Sequence, residues 1–183
     1  DSNGSNDIFV HELPTNMTDA VTTIADSSQA NNFSTAPVIS ADGRYVAFAS
    51  IASNLVPGDT NGWPCDEDGQ DIFLFDYQTR EIERGSVAWD GSQANNRSYD
   101  PSISADGRYV AFWSYASNLM PGYTNGGVFL RDRAMNVTEY VSNDRDCQIS
   151  ADFRYVAFDS SDSDLVPGDT NGSYDEEQDL YYG

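Results

Sequence analysis

ISADGRYVAF stands at Ile39–Phe48 and again at Ile103–Phe112, and ISADFRYVAF stands at Ile149–Phe158. A ten-residue string that returns twice within 183 residues is an internal repeat, and such a repeat sets the architecture before any single motif does. Inside it, Tyr45, Val46 and Phe48 are strand formers, and RYVAF alternates large and small side chains. Asp42-Gly43, between Ile39 and Tyr45, is a hairpin-turn pair, so the string reads as strand, turn, strand.

Further blocks follow each copy in the same order. The first is SNLVPGDTNG at Ser53–Gly62, SNLMPGYTNG at Ser117–Gly126 and SDLVPGDTNG at Ser163–Gly172. Next come DIFLFD at Asp71–Asp76, GVFLRD at Gly127–Asp132 and DLYYG at Asp179–Gly183, with a preceding relative, DIFVHE, at Asp7–Glu12. SQANN links two of the units at Ser28–Asn32 and Ser92–Asn96, whereas the third linker is cut short between Val141 and Cys147. DIFLFD is a short apolar run bounded by acids, as a buried strand should be, and Glu81–Val87 supplies a fourth strand. Pro57-Gly58 and Asn61-Gly62 mark the intervening loop, and no stretch carries helical periodicity with caps.

The unit is therefore four antiparallel strands: PVIS, RYVAFAS, DIFLFD and EIERGSV. Such units repeated around an axis are propeller blades. The expected class is all-β, a β-propeller with about three blade repeats in the chain and incomplete blades at both ends. The chain reads as one propeller domain or segment over residues 1–183, in units of about 1–36, 37–100, 101–146 and 147–183. A closed propeller needs roughly four to eight blades. The expectation is a homo-oligomer, or a ring completed by further chain.

The same residues resemble the TolB-like propeller repeat, whose mark is P-x-[IW]-S-x-D-G-[RK]-x-[IVL]-A-F. That core is Pro37–Phe48 and Pro101–Phe112, with a degenerate copy at Cys147–Phe158. The resemblance covers nearly the whole chain and implies the fold. It implies little about function, because such repeats occur in periplasmic, secreted and peptidase-associated propellers. Two departures stand out. Phe153 replaces the turn glycine of Gly43 and Gly107, where a positive φ would strain it, and Cys147 replaces the opening proline.

Composition narrows the partners. With 39% hydrophobic and 13% aromatic residues, the chain has the material for a packed core. The net charge is −21, and all nine basic residues are Arg. A field of that sign repels nucleic acid and anionic membranes, and no apolar run approaches the ~20 residues of a membrane span. Nucleic-acid partners and membrane insertion are therefore excluded. Six N-x-S/T sequons, at Asn3, Asn16, Asn32, Asn96, Asn136 and Asn171, point to a secreted or cell-surface protein carrying glycans, with a periplasmic location as the alternative. Cys65 and Cys147 are too few for a disulfide framework but suffice for one bridge.

One pattern suggests a metal. D-x-N-G is followed by an acid just before the third strand: Asp1, Asn3 and Asp7; Asp59, Asn61 and Asp71, with Asp66 and Asp68 between; Asp169, Asn171 and Asp179, with Asp175 between. Carboxylate and amide oxygens around a glycine turn are what Ca²⁺ takes, and equally what a turn uses to bond its own backbone. The copy with Tyr123 and Gly127 lacks the acids and is expected not to bind. Trp63, Trp89, Trp113, Tyr99, Tyr115 and Tyr123 fall in or near expected loops and are candidate platforms for a sugar ring or a peptide side chain. Arg44, Arg108 and Arg154 recur at one place in each unit, as a blade-internal or inter-blade ion pair would. His11, the only histidine, has no nucleophile pattern around it, and G-x-S-x-G, H-E-x-x-H and phosphate loops are all missing.

The leading expectation is a non-enzymatic extracellular propeller acting as a structural or adhesive scaffold, with calcium stiffening its loops. The alternatives are a lectin-like carbohydrate-binding propeller and a propeller segment of a larger secreted or periplasmic enzyme.

Overall fold

A computed structural model describes residues 4–24, 28–61, 69–160 and 165–167. Among these residues twelve strands run in chain order: β1 (Phe9–Glu12), β2 (Met17–Ala20), β3 (Ser34–Ile39), β4 (Tyr45–Ser50), β5 (Asp71–Asp76), β6 (Glu81–Arg84), β7 (Ser98–Ile103), β8 (Tyr109–Ser114), β9 (Gly127–Asp132), β10 (Val137–Ser142), β11 (Arg145–Ile149) and β12 (Val156–Asp159). Strands β3 to β6 form one four-stranded antiparallel sheet in sequence order, and β7 to β10 form a second. These are the four strands expected of each unit. The pairs β1–β2 and β11–β12 form two-stranded sheets, matching the outer half and the inner half of a blade. The expected strand at Asp179–Gly183 lies outside the described residues.

The period-2 alternation in RYVAF explains how the blades stack. On β4, Val46 and Phe48 face the cluster shared with Ile8, Val21 and Ala30, while Ala47 and Ala49 face the next blade. There they meet Val110 and Phe112 of β8, so the large face of one blade fills the small face of its predecessor. Phe48, Phe73, Phe112 and Phe129 are all fully buried. Burying each stabilises the stack by roughly 2–3 kcal/mol relative to exposure. A third cluster joins Ala111, Trp113 and Val128 of the second complete blade to Cys147 and Ile149 of β11.

Each hairpin turn is built by its own polar residues. The Ser40 hydroxyl donates to Asp42 Oδ1 (2.6 Å), which also accepts the Arg44 N–H (3.0 Å). Ser104, Asp106 and Arg108 repeat this at 2.7 and 3.0 Å, and Ser150, Asp152 and Arg154 at 2.8 and 3.2 Å. The Ser40, Ser104 and Ser150 hydrogen bonds hold these three aspartates below their ordinary range.

The turn residue also meets the preceding blade. Gly107 (φ 70°) lies against the Tyr45 ring, and a Cβ there would come within 2.0 Å of Cδ2. Phe153 adopts the same left-handed conformation (φ 60°) without glycine's freedom, and its ring stacks parallel to Tyr109. The expected strain is present, with an aromatic contact to offset it. Farther out, Arg133 reaches back to Glu83, and Tyr77 reaches Asp19.

Candidate functional site

The loop after β4, the start of β5, the end of β6 and the SQANN linker converge on one cluster. Asp71 opens β5 and is fully buried. Its Oδ1 accepts the Ser86 hydroxyl (2.5 Å), and its Oδ2 accepts the Gln93 amide (2.8 Å). The same Gln93 nitrogen donates to Asp59 Oδ1 (2.8 Å) and contacts Asn61 Oδ1. Gln93 Oε1 accepts from the Thr60 N–H and hydroxyl, both at 3.2 Å, and Asn61 Nδ2 donates to the Ala94 carbonyl (3.2 Å). Three oxygens from the predicted D-x-N-G…D set thus surround one point.

Arg84 supplies the positive charge. It lies 3.2 Å from Asp59 Oδ2 and 3.4 Å from Asp71 Oδ2. These are ion-pair contacts without hydrogen-bond geometry: Arg84 Nε and Nη2 have no hydrogen-bond partner among the described residues. Burial is the largest influence on Asp71 and pushes it up to about 6, against the opposing pull of Ser86 and Arg84. Among the described residues no three carboxylate, imidazole or thiol groups stand together as a ready-made cage. The donor set here is two carboxylates with amide oxygens.

The structure brings Asp59, Asn61 and Asp71 together around Gln93, and it adds Arg84, Ser86 and Gln93, which the sequence analysis did not single out. A signal for two of them exists. Gln93 follows Asp71 at the offset by which Gln29 follows Asp7, inside both copies of SQANN. The Thr22 hydroxyl likewise donates to Asp7 Oδ1 (2.6 Å), as Ser86 does to Asp71. Asp1, Asn3, Asp66, Asp68, Asp169, Asn171, Asp175 and Asp179 lie outside the described residues.

The remaining candidates divide. Tyr99, Trp113 and Tyr115 come together: Tyr99 stacks on Trp113 (5.6 Å), whose ring meets Tyr115 edge-on (4.0 Å). Trp113 was expected near a loop but lies within β8 and is only 7% exposed, because it fills the face toward β11. Trp89 is exposed beside a turn, Tyr123 stacks on Tyr140 (4.0 Å), and Trp63 is outside the described residues. Cys147 is buried, and Cys65, its expected partner, is also outside.

Arg44 and Arg108 form the anticipated ion pairs within their own blades, to Asp76 (2.7 Å) and Asp132 (2.6 Å). The Arg44 hydrogen bond is the main reason Asp76 is held down to about 2. His11 lies on the exposed strand β1, against Thr18 Oγ1 (2.8 Å).

Of the sequons, Asn3 and Asn171 are outside the described residues. Asn32 and Asn96 accept the next residue's N–H (2.9 and 2.8 Å), and their serines, Ser34 and Ser98, are buried against Ser50 and Ser114. Asn16 and Asn136 are exposed at hairpin turns, with Asn136 contacting Arg131.

No family model and no curated protein matches the sequence. Solved structures do. TolB from Acinetobacter baumannii aligns with a TM-score of 0.51 at 20% identity, over 83% of this chain and 31% of that one. A putative TolB from Agrobacterium tumefaciens aligns with a TM-score of 0.50 at 16% identity, over 84% and 50%. The chain spans half or less of the length of these two proteins. Four-stranded blades, stacked large face on small face and matched by these structures, give the chain the fold of a TolB-like β-propeller.

Proposed function

We propose that the chain is part of a non-enzymatic, exported β-propeller that serves as a scaffold, with calcium reinforcing the loop of its first complete blade. The carrying observation is how the recurrent polar residues are used. The Ser–Asp–Arg turn, the Arg–Asp ion pair and the Ser–Ser bond between first and second strands repeat at matching positions in both complete blades. Residues spent on the frame of every blade build the blade. The two complete blades among the described residues fall short of the roughly four a ring requires, and in this reading further blades, from more chain or from a second copy, complete it.

Asp59, Asn61 and Asp71 would hold the calcium, and Gln93 can offer the oxygen end of its amide. Calcium would supply the positive charge that Asp59 and Asp71 now share from Arg84 alone. Because a ligating carboxylate must be ionised, binding should strengthen above pH 6, where Asp71 gives up its proton. The test is thermal melting with calcium or with EDTA at pH 7.5 and at pH 5. Calcium should raise the melting temperature at pH 7.5, do so less at pH 5, and do nothing in Asp71→Asn. A melting temperature indifferent to both additions at pH 7.5 removes calcium from the reading.

A further inference from the structure

Four N-x-S/T sequons lie among the described residues, at Asn16, Asn32, Asn96 and Asn136, and the fold treats them differently. Asn32 and Asn96 belong to the linkers. Each is half-buried, and each carboxamide oxygen accepts the N–H of the next residue, at 2.9 and 2.8 Å. The serines that complete these sequons, Ser34 and Ser98, are buried and bonded to Ser50 (2.9 Å) and Ser114 (3.0 Å). A bulky group on either asparagine would have to lift the linker off the strand it leads into.

Asn136 is exposed at the turn between β9 and β10, but its carboxamide oxygen accepts from the Arg131 guanidinium. Arg131 is buried and also donates to the Thr138 hydroxyl (3.2 Å), which in turn donates to the Val87 carbonyl (2.5 Å). Swinging Asn136 outward takes a hydrogen bond from a buried cation, which is costly.

At the end of the β1–β2 hairpin, by contrast, Asn16, Met17 and Thr18 are all exposed. The Asn16 carboxamide has no hydrogen-bond partner among the described residues, and Thr18 Oγ1 lies 2.8 Å from Nδ1 of the exposed His11. The turn itself does not ask for an asparagine. Asn16 and Arg80 hold the same place in successive outer hairpins, both left-handed (φ 56° and 63°), and donate their backbone N–H to Glu12 and Asp76 (2.8 Å each). The hairpin with Arg80 reads T-R-E-I and carries no sequon. The Asn16 turn also stands clear of the cluster of Ile8, Val21, Val46 and Phe48 through which its half-blade meets the next. A large substituent there is compatible with stacked blades.

We propose that Asn16 carries an N-linked oligosaccharide and that Asn32, Asn96 and Asn136 do not. Export brings the unfolded chain past a glycosyl transferase whose donor is a polyprenyl-diphosphate-linked sugar. A bond forms from Asn16 Nδ2 to the anomeric carbon of the first sugar, and the bond from that carbon to the diphosphate oxygen breaks. The displaced Nδ2 proton leaves with the polyprenyl diphosphate. The Thr18 hydroxyl completes the motif that the transferase reads. Transfer precedes folding, so the fold selects afterwards: chains with a sugar on a half-buried linker do not reach the folded, exported pool. This rests on the exported reading and is independent of calcium.

The test is glycopeptide mapping of the full chain, secreted in folded form by an N-glycosylating eukaryotic cell. Peptide-N-glycosidase in heavy-oxygen water marks each occupied asparagine as a labelled aspartate. Asn16 should be occupied in most molecules, and Asn32, Asn96 and Asn136 in few. Asn16→Gln should remove that glycan. Thr18→Val, which keeps Asn16 and suits a strand, should remove it too, whereas Thr18→Ser should retain it. A folded, secreted chain bare at Asn16 overturns the proposal and leaves export standing. So does equal occupancy at Asn32 or Asn96, which would mean that the linkers accept a sugar. Recovery of the native chain from the cytosol alone overturns the exported reading and this proposal with it.

Discussion

In the first complete blade the loop after β4 sets Asp59 against Arg84, beside buried Asp71 and Gln93. In the second, the places of Asp59 and Arg84 hold Tyr123 and Tyr140, stacked 4.0 Å apart, and the place of Asp71 holds Gly127. Gln93 has no counterpart, because the chain runs from β10 at Ser142 to β11 at Arg145 without the SQANN linker. Four features change together. A buried carboxylate pair with its single cation is a unit: removing one member strands the others, whereas replacing the set with packed apolar surface is tolerated. Since a blade can be built either way, blade-building alone does not require the charged set.

The largest expected effect comes from breaking that unit at its cation. Arg84→Ala leaves Asp59 and Asp71 uncompensated and should cost about 3–5 kcal/mol, read from urea unfolding. The double variant Asp59→Tyr with Arg84→Tyr copies the second blade and should lose less than the two single variants together, by at least about 1 kcal/mol. Strict additivity would mean that the two positions are not coupled and would undo the comparison.

A pH titration sharpens it further. Asp71 is raised in the folded state from 3.8 to about 6, so its contribution to stability is complete below pH 4 and lost as pH rises through 6. The loss is on the order of 3 kcal/mol for a shift of this size. Asp76, held down to about 2, acts oppositely and in a separate window, contributing above pH 4 and fading as pH falls toward 2. Asp71→Asn should flatten the stability profile between pH 4 and 6 and leave the acid limb in place. An unaltered profile in that variant would assign the upper window to another group.

Gly127 tests the other side. Its φ is 153°, and a Cβ there would lie 2.3 Å from the Ser142 carbonyl oxygen, next to the bulge between Tyr140 and Ser142. Gly127→Ala should therefore cost about 2–3 kcal/mol by urea unfolding. A neutral result would mean that the bulge gives way, and that the second blade has kept room for the aspartate it lacks.

How far the sequence carried these distinctions depended on distance along the chain. The strands and turns were legible because RYVAF, Asp42-Gly43 and DIFLFD each encode structure within a few residues. The stacking of Val110 and Phe112 on Ala47 and Ala49 was half-visible in the alternation, but the partner face needed coordinates. At the site, Asp59 and Asn61 announced themselves through D-x-N-G. Arg84 and Gln93 did not, because they come from the fourth strand and the next linker and meet the loop only in the folded blade. Trp113 was misplaced for a related reason: AFWS after RYV looks like a strand running into a loop, and only β11, packed across it, shows the ring belongs inside.

The smallest effect expected is also the one whose sign is most informative. Phe153 occupies a left-handed turn position (φ 60°) that Gly43 and Gly107 fill elsewhere. Phe153→Gly relieves about 1 kcal/mol of backbone strain but gives up both a ring stack with Tyr109 worth about 0.5–1.5 kcal/mol and the packing of the Phe153 ring against the third cluster, so the net change should be within about 1 kcal/mol and destabilising. Removing the stacking partner first should reverse it: in a Tyr109→Ala background, Phe153→Gly should stabilise. The reciprocal change, Gly107→Phe, finds no such contact to gain, because the Tyr45 ring already lies where the new Cβ would go. If Phe153→Gly stabilises the wild-type chain as well, the Tyr109 stack contributes nothing. The third turn is then simply strained, rather than a second way of joining one blade to the next.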